Sequence, residues 1–378
     1  MSLILVTGGA GFIGSRLARA LADKGNRVVV LDTLSPQIHG EGASPPPMLD
    51  HAGIRFIKGS VTSREDLSSA LEGVTAIAHL AAETGTGQSM YEIDRYNLVN
   101  TQGTAILLDI LAQQHLRSVT RLVLTSSRSV YGEGRFACAR CGNDAIYPHA
   151  RTAATLARHE WDPACPNCAE PLKVAATTEE AVLRPASIYA ATKLAQEDLV
   201  RIACEALGIG HAIFRLQNVY GEGQSLKNPY TGILSIFSTK VRRGATLPLF
   251  EDGEESRDFV HVDDVVAALE AGLLCPDAPN TVMNVGSGVG TSVRDVAAML
   301  NAALGGGSEI VVTGEYRLGD IRHNVADIGR LKAFLGKGPD IGLQEGLDRF
   351  AQWVVTQPLP EDLLDKANEE LRVRKLMV

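Results

Sequence analysis

Three side chains in this sequence have the chemistry to move a proton and hold a reacting oxygen: Ser127, Tyr189 and Lys193. Tyr189-Ala190-Ala191-Thr192-Lys193 sets a phenol and an ammonium four residues apart, so a helix carries both on one face. A free tyrosine, with a pKa of about 10, is a poor base at neutral pH, but a neighbouring cation favours its phenolate. Such a group can take a proton from a substrate hydroxyl or return one. The spacing alone suits a plain surface helix equally well. Ser127 adds weight, because it follows the strand-like run Leu122–Thr125, and open α/β sheets bind ligands at the carboxyl ends of their strands. Ser126 and Ser129 compete for the same role, and each could instead cap a turn.

A second group of residues suits a dinucleotide. Thr7-Gly8-Gly9-Ala10-Gly11-Phe12-Ile13-Gly14 lies between an apolar run, Leu3–Val6, and a helical pattern over Phe12–Lys24. Gly8 and Gly11 let backbone approach a pyrophosphate, and Gly14 lets helix pack closely on strand. The free N–H groups at the helix start, around Phe12 and Ile13, favour phosphate charge. Asp32 closes the next strand, Val28–Leu31, 18 residues beyond Gly14, where an acid can bind both hydroxyls of an adenosine ribose. The plainer alternative is a glycine turn followed by a capping aspartate. Asp32 also repels a 2′-phosphate, which favours NAD over NADP, although Arg16 and Arg19 stand nearby.

The third group is cysteine. Cys138-Ala139-Arg140-Cys141 and Cys165-Pro166-Asn167-Cys168 form two knuckles separated by 23 residues. In a reducing compartment this pattern predicts a tetrahedral four-cysteine zinc ribbon, structural because four thiolates leave no open position. Free thiols or a redox pair without metal are the alternatives. Cys204 and Cys275 stand alone in apolar helical surroundings and are expected to be small buried hydrophobes.

The elements that must position these groups alternate. Strands are expected at Leu3–Val6, Val28–Leu31, Ile54–Lys58, Ala76–Leu80, Leu122–Thr125 and Ile213–Leu216, with helices near Arg64–Leu71 and over Tyr96–Gln114. That rhythm predicts a doubly wound parallel sheet. Ser35–Met48, with three consecutive prolines, is expected to be irregular. The cysteine-bearing stretch between Gly132 and about Arg184 reads as an insertion, and Glu361–Lys375 as a solvated helix rather than a binding element.

At 378 residues, 45% hydrophobic and 21% charged, the chain can build a large α/β domain and a smaller partner. Its net charge of −8 opposes nucleic acid as the main ligand. No apolar run approaches the roughly 18–20 residues that span a bilayer, and Met1–Val6 reads as a core strand rather than a signal peptide. No membrane association and a cytoplasmic location are therefore expected, with reduced thiols.

With these residues in view, the chain resembles the extended short-chain dehydrogenase/reductase family, in particular its nucleotide-sugar epimerases and dehydratases. The resemblance spans nearly all but the insertion. It is carried by the glycine motif, His79-Leu80-Ala81-Ala82, Asn100 with Gly103-Thr104, Ser127–Gly132, Tyr189 with Lys193, and Arg257-Asp258-Phe259-Val260-His261-Val262. It implies a Rossmann-type NAD-binding domain over 1–216 (insertion 133–183) and a substrate domain over 217–378, with about 258–285 returning to the first.

The resemblance also implies that Leu80, Ala81 and Ala82 line the NAD pyrophosphate and nicotinamide ribose, with Asn100 beneath and Tyr189 and Lys193 beside the cofactor. Asn218 would touch a sugar diphosphate, Arg257 and Arg317 would clamp its phosphates, and Leu249 and Phe250 would lie near the base. Arg322 is the runner-up to Arg317. Gly87-Gln88-Ser89-Met90-Tyr91, with Gln88 and Ser89 as substrate contacts, and the cysteine insertion look most like 4-epimerases of dTDP- or UDP-linked hexoses.

Two positions depart from the pattern. Where the dehydratases carry an Asp-Glu pair after the active-site hydroxyl, this chain has Arg128 and Ser129, which argues against loss of water. An adenine-contacting aspartate is replaced by Ser60, before Val61, leaving a backbone contact to substitute. The implied activity is NAD-dependent epimerisation through a 4-keto sugar, in a homodimer. A 4-ketoreductase would use the same residues, and a non-catalytic NAD-sensing scaffold with a docking ribbon is the remote third reading. The insertion leaves the chain just after Ser127 and returns just before Tyr189, so it is expected beside the sugar pocket.

Overall fold

The computed structural model describes residues 2–113, 118–228, 232–362 and 364–377. Seven strands form one sheet: β1 (Leu3–Thr7), β2 (Arg27–Asp32), β3 (Ile54–Lys58), β4 (Ala76–His79), β5 (Arg121–Ser127), β6 (Gly210–Leu216) and β7 (Thr281–Val285). They lie in the order β3-β2-β1-β4-β5-β6-β7, all parallel. Because side chains alternate along a strand, Ile4, Val6, Val28 and Val30 enter one core with α1 (Phe12–Asp23) and a later helix, Val262–Leu274. Leu5, Val29, Leu31 and Ile77 enter the other, beneath α2 (Arg64–Ala70), α3 (Gly103–Gln113) and α4 (Ile188–Leu207). Burial on both faces explains why these strands read as unbroken apolar runs.

The chain reverses direction across the sheet between β1 and β4, and a crevice opens there at the carboxyl ends of the strands, as doubly wound sheets require. The expected helix over Tyr96–Gln114 is divided. Ile93–Tyr96 is one α-turn, Asn97–Gln102 is a π-turn, and α3 follows; Gln114 lies outside the described residues. The Ser35–Met48 stretch, expected to be irregular, contains a helical turn, Pro36–His39, and the start of a 3-10 turn, Pro47–Leu49. Pro36 stands at the first helical position, where the missing N–H costs nothing.

A second lobe is built on Asn218–Tyr220, parallel to Ser256–His261, with Gly290–Ser292 antiparallel to the latter. Its core joins Leu234, Phe237, Leu249, Val296, Leu300, Leu347 and Phe350. The insertion folds as a small three-stranded sheet, Phe136–Cys138 between Asn143–Ile146 and Lys173–Val174, over a five-residue core that includes Cys138 and Cys165. The C-terminal helix Leu364–Val373 is docked rather than simply solvated. Leu364, Ala367 and Leu371 are buried, and their i, i+3, i+7 spacing is that of an apolar stripe. Cys204 is buried, but Cys275 is exposed because it lies one residue past Val262–Leu274, beyond the stripe that helix buries.

Candidate active site

The crevice is a cleft of ≈ 540 Å³ lined along one side by Gly8, Gly11, Phe12, Ile13, Gly14, Asp32, Ser60, Val61 and Leu80–Ala82. Gly8 has φ +67°, and a Cβ there would lie 2.7 Å from the Ala81 nitrogen; a Cβ on Gly14 would lie 2.3 Å from the Gly8 carbonyl oxygen. Side chains at either place would strike backbone, so glycine is what lets β1, the turn and the β4 end pack closely enough to shape a pyrophosphate cradle. The Asp32 carboxylate accepts from the Ala10 and Leu34 N–H groups at 3.0 and 2.9 Å, which fixes it at the strand end facing the cleft. These residues fit an NAD adenosine and diphosphate. The Ser60 N–H is already donated to Asp66 at 2.9 Å, so the substitute backbone contact expected at Ser60 is not free to form through that group.

Ser127, Tyr189 and Lys193 meet at the centre of the cleft. Ser127 ends β5, and its hydroxyl accepts from the Ser129 N–H and Oγ at 3.2 and 3.0 Å. Ser126 also lines the cleft, but its hydroxyl is committed to Glu197. Tyr189 lies in the first turn of α4, capped by Ser187, where the helix dipole favours a negative charge. Burial pushes the phenol's pKa up, while a hydrogen bond with Ser127 and the Arg128 charge pull it down. The Lys193 ammonium donates to the Thr125 carbonyl at 3.0 Å. Burial lowers it to about 8 against the opposing pull of Glu197. Arg128 is thus a cation that the phenol feels in addition to those the sequence suggested.

A buried polar frame holds this centre. Asn100, in the π-turn, accepts from the Glu83 N–H at 2.8 Å and donates to the Glu83 carbonyl and to the Thr192 hydroxyl. It therefore braces α4 and does not line the cleft. His79 bridges Thr7 and Thr104 at 2.8 and 2.9 Å, and burial lowers its pKa to about 3, so it is neutral. Thr104 also accepts from Gln196 of α4, completing a chain from the glycine turn to the tyrosine helix. Glu197 and Arg215, buried and 2.6 Å apart, tie α4 to β6.

The residues expected at the substrate end are only partly gathered. Asn218 lines the cleft and accepts from the Arg128 Nε at 2.9 Å. Gln88 is buried against Gln37 and Tyr96. Ser89 receives the Tyr189 N–H at 3.1 Å, supporting the tyrosine's backbone. Leu249 belongs to the second lobe's core. Phe250 lies under the Arg317 guanidinium, 4.5 Å from its centre, and Arg317 donates to Asn368 of the C-terminal helix. Arg257 donates to the carbonyls of Ser256, Arg322 and Ile321. Arg322, held by Asp162, Glu251 and Asp252, is a structural cation and not the alternative clamp. None of Gln88, Ser89, Leu249, Phe250, Arg257 or Arg317 lines the cleft, because each is engaged by its own lobe.

Residues missed in the sequence do line it. Arg128 projects from the turn after Ser127, and Gln217 and Gln224 bring buried amide atoms that have no partner among the described residues. The sole signal was Arg128's replacement of an acid.

The four Sγ atoms of Cys138, Cys141, Cys165 and Cys168 lie within 4.8 Å of one another, with Cys138–Cys168 at 3.5 Å and Cys141–Cys165 at 3.8 Å. A tetrahedron of Zn–S bonds of about 2.3 Å sets its sulfurs about 3.8 Å apart, so the cluster fits zinc. No residue of 133–183 lines the cleft itself. The insertion grips the second lobe through Arg151 on Glu251 at 2.7 Å, Asp162 on Arg322 at 2.8 Å, and Trp161 against Tyr316.

Residues 4–286 match the NAD-dependent epimerase/dehydratase family. The chain is 41% identical over 356 residues to a dTDP-L-rhamnose 4-epimerase of Burkholderia thailandensis, covering 94% of this chain and 95% of that one. Its fold is similar to that of a Thermotoga maritima UDP-glucose 4-epimerase solved with UDP-glucose (TM-score 0.76, 27% identity, 94% and 99% covered). A Thermus thermophilus UDP-glucose 4-epimerase solved with NAD is also similar (TM-score 0.73, 25% identity, 94% and 100% covered).

Proposed function

The chain belongs to the NAD-dependent epimerase/dehydratase family, and on that premise we propose that it is an isomerase acting on a nucleotide-linked hexose. It inverts C4 of a dTDP- or UDP-sugar through a transient 4-keto sugar. The observation that carries this reading is the convergence of Ser127, Tyr189 and Lys193 on a dinucleotide cleft whose next two residues are Arg128 and Ser129. NAD, when bound, supplies the acceptor and donor of a hydride. Tyr189 takes the proton of the sugar hydroxyl as the carbinol is oxidised and returns it when the ketone is reduced on its other face. Ser127 orients the reacting oxygen. An arginine and a serine supply no carboxylic acid to protonate a leaving hydroxyl, so oxidation is not followed by loss of water.

The same reading divides the chain into a cofactor part, 1–216, and a substrate part, 217–378, with 258–285 returned to the first by β7. It assigns structural zinc to the four cysteines, holding the insertion against the loops around Glu251 and Arg322. It places the enzyme in the cytoplasm, the reducing compartment that a four-thiolate metal site suits. It also makes the protein a homodimer, supported by Ile93, Leu98 and Ile202, which expose apolar side chains on neighbouring elements.

The test is incubation with a panel of UDP-, dTDP- and GDP-sugars, following anomeric NMR signals without added cofactor. An epimer should appear. Products that are only reduced, and only with added NADH, would make the enzyme a ketoreductase instead.

A further inference from the structure

The cleft as a nucleotide-sugar site, the reading on which this inference rests, must neutralise a diphosphate carrying about two negative charges. Of the arginines expected to do so, Arg257 places three of its five N–H groups on backbone carbonyls of its own lobe. Arg317 is stacked on Phe250 and bonded to Asn368, and neither lines the cleft. Arg128 is the arginine that does. Its Nε is fixed by Asn218 at 2.9 Å, and among the described residues its two terminal nitrogens have no hydrogen-bond or ion-pair partner.

We propose that Arg128 is a substrate-binding residue whose terminal N–H groups grip the sugar-proximal phosphate of the nucleotide sugar, with Asn218 setting the direction of the fork. Three observations lead there. The guanidinium lines the same cleft as Tyr189, with its Nε held by Asn218, so it stands next to where the reacting sugar must lie. Its two terminal nitrogens are unpartnered among the described residues while its Nε is fixed, and a planar guanidinium fork so oriented suits phosphate oxygens. Burial and Arg257 also push Arg128 down to about 9, the mark of a cation without its counter-charge. Asp320 and Asp258 attract it but form no ion pair with it. A residue at this position that fixes a phosphate does so one step from the active-site hydroxyl, tying the sugar's anchor to the atom that reacts.

The test compares dTDP with dTMP, and UDP with UMP, by calorimetric titration of the NAD-loaded protein. In the parent chain the diphosphates should bind more tightly than the monophosphates. Arg128→Gln should cut that ratio about tenfold or more, as loss of a charge-assisted hydrogen bond to phosphate predicts, with monophosphate affinity, bound NAD and melting temperature retained. Arg128→Lys, which keeps the charge but loses the fork, should fall between. An unchanged ratio in both variants overturns the assignment of Arg128 and leaves the nucleotide-sugar reading standing. A parent protein that binds neither diphosphate overturns both.

Discussion

The side-chain amide of Asn100 donates to the Thr192 hydroxyl across 3.0 Å, and Thr192 stands between Tyr189 and Lys193 on the same helix. One buried amide in a π-turn thus joins the backbone of Glu83, at the cleft's rim, to the helix bearing the proton-transfer pair. π-Turns concentrate at functional positions because they turn one side chain out of helical register.

Asn100→Ala removes three hydrogen bonds and leaves the Glu83 N–H without its partner. Unfolding free energy should fall by about 2–4 kcal/mol, measurable by urea titration. Turnover should fall more than KM rises, because Asn100 positions the centre without touching substrate. A variant as stable and as fast as the parent would remove Asn100 from the frame.

The pH dependence follows from the cations around Tyr189. The Arg128 charge favours phenolate and so lowers the phenol's pKa. Arg128→Gln removes that pull, and the pKa must rise. The acid limb of the kcat profile should therefore move to higher pH, with activity recovering as pH is raised. A limb that stays in place or moves to lower pH contradicts the sign.

Zinc should be found at about one equivalent per chain by elemental analysis, as a closed four-thiolate site requires. Cys165→Ser should lose it, free the insertion and lower the melting temperature, since its small core depends on the cluster. Bound NAD should be retained, because the insertion does not reach the cleft. KM for nucleotide sugar should rise, because Arg151 and Asp162 no longer brace the loops at Glu251 and Arg322.

How much of this was legible in the sequence depends on how local each determinant is. β1 with the glycine turn and α1 could be read directly, because strand, turn and helix follow one another within Leu3–Asp23 and each obeys its own period. The cysteine knuckles were legible for the same reason. The substrate end was not. Arg257 and Arg317 look alike as sequence, and their hydrogen bonds to Ile321 and Asn368 come from residues 64 and 51 positions away. Asn100 and Ser89 were legible as motif members but not as braces, since their partners Thr192 and Tyr189 arrive from the far side of the insertion. Arg128 registered as the loss of an acid; its place in the cleft beside Asn218 shows only once β5 and the second lobe are brought together.

The central claim is that the phenol at position 189 carries the proton. Tyr189→Phe should be assayed on the nucleotide sugar that the parent epimerises, with bound NAD and melting temperature checked alongside. A fall in kcat of about 10²–10⁴-fold with NAD retained is the predicted result; turnover at the parent's rate would contradict it.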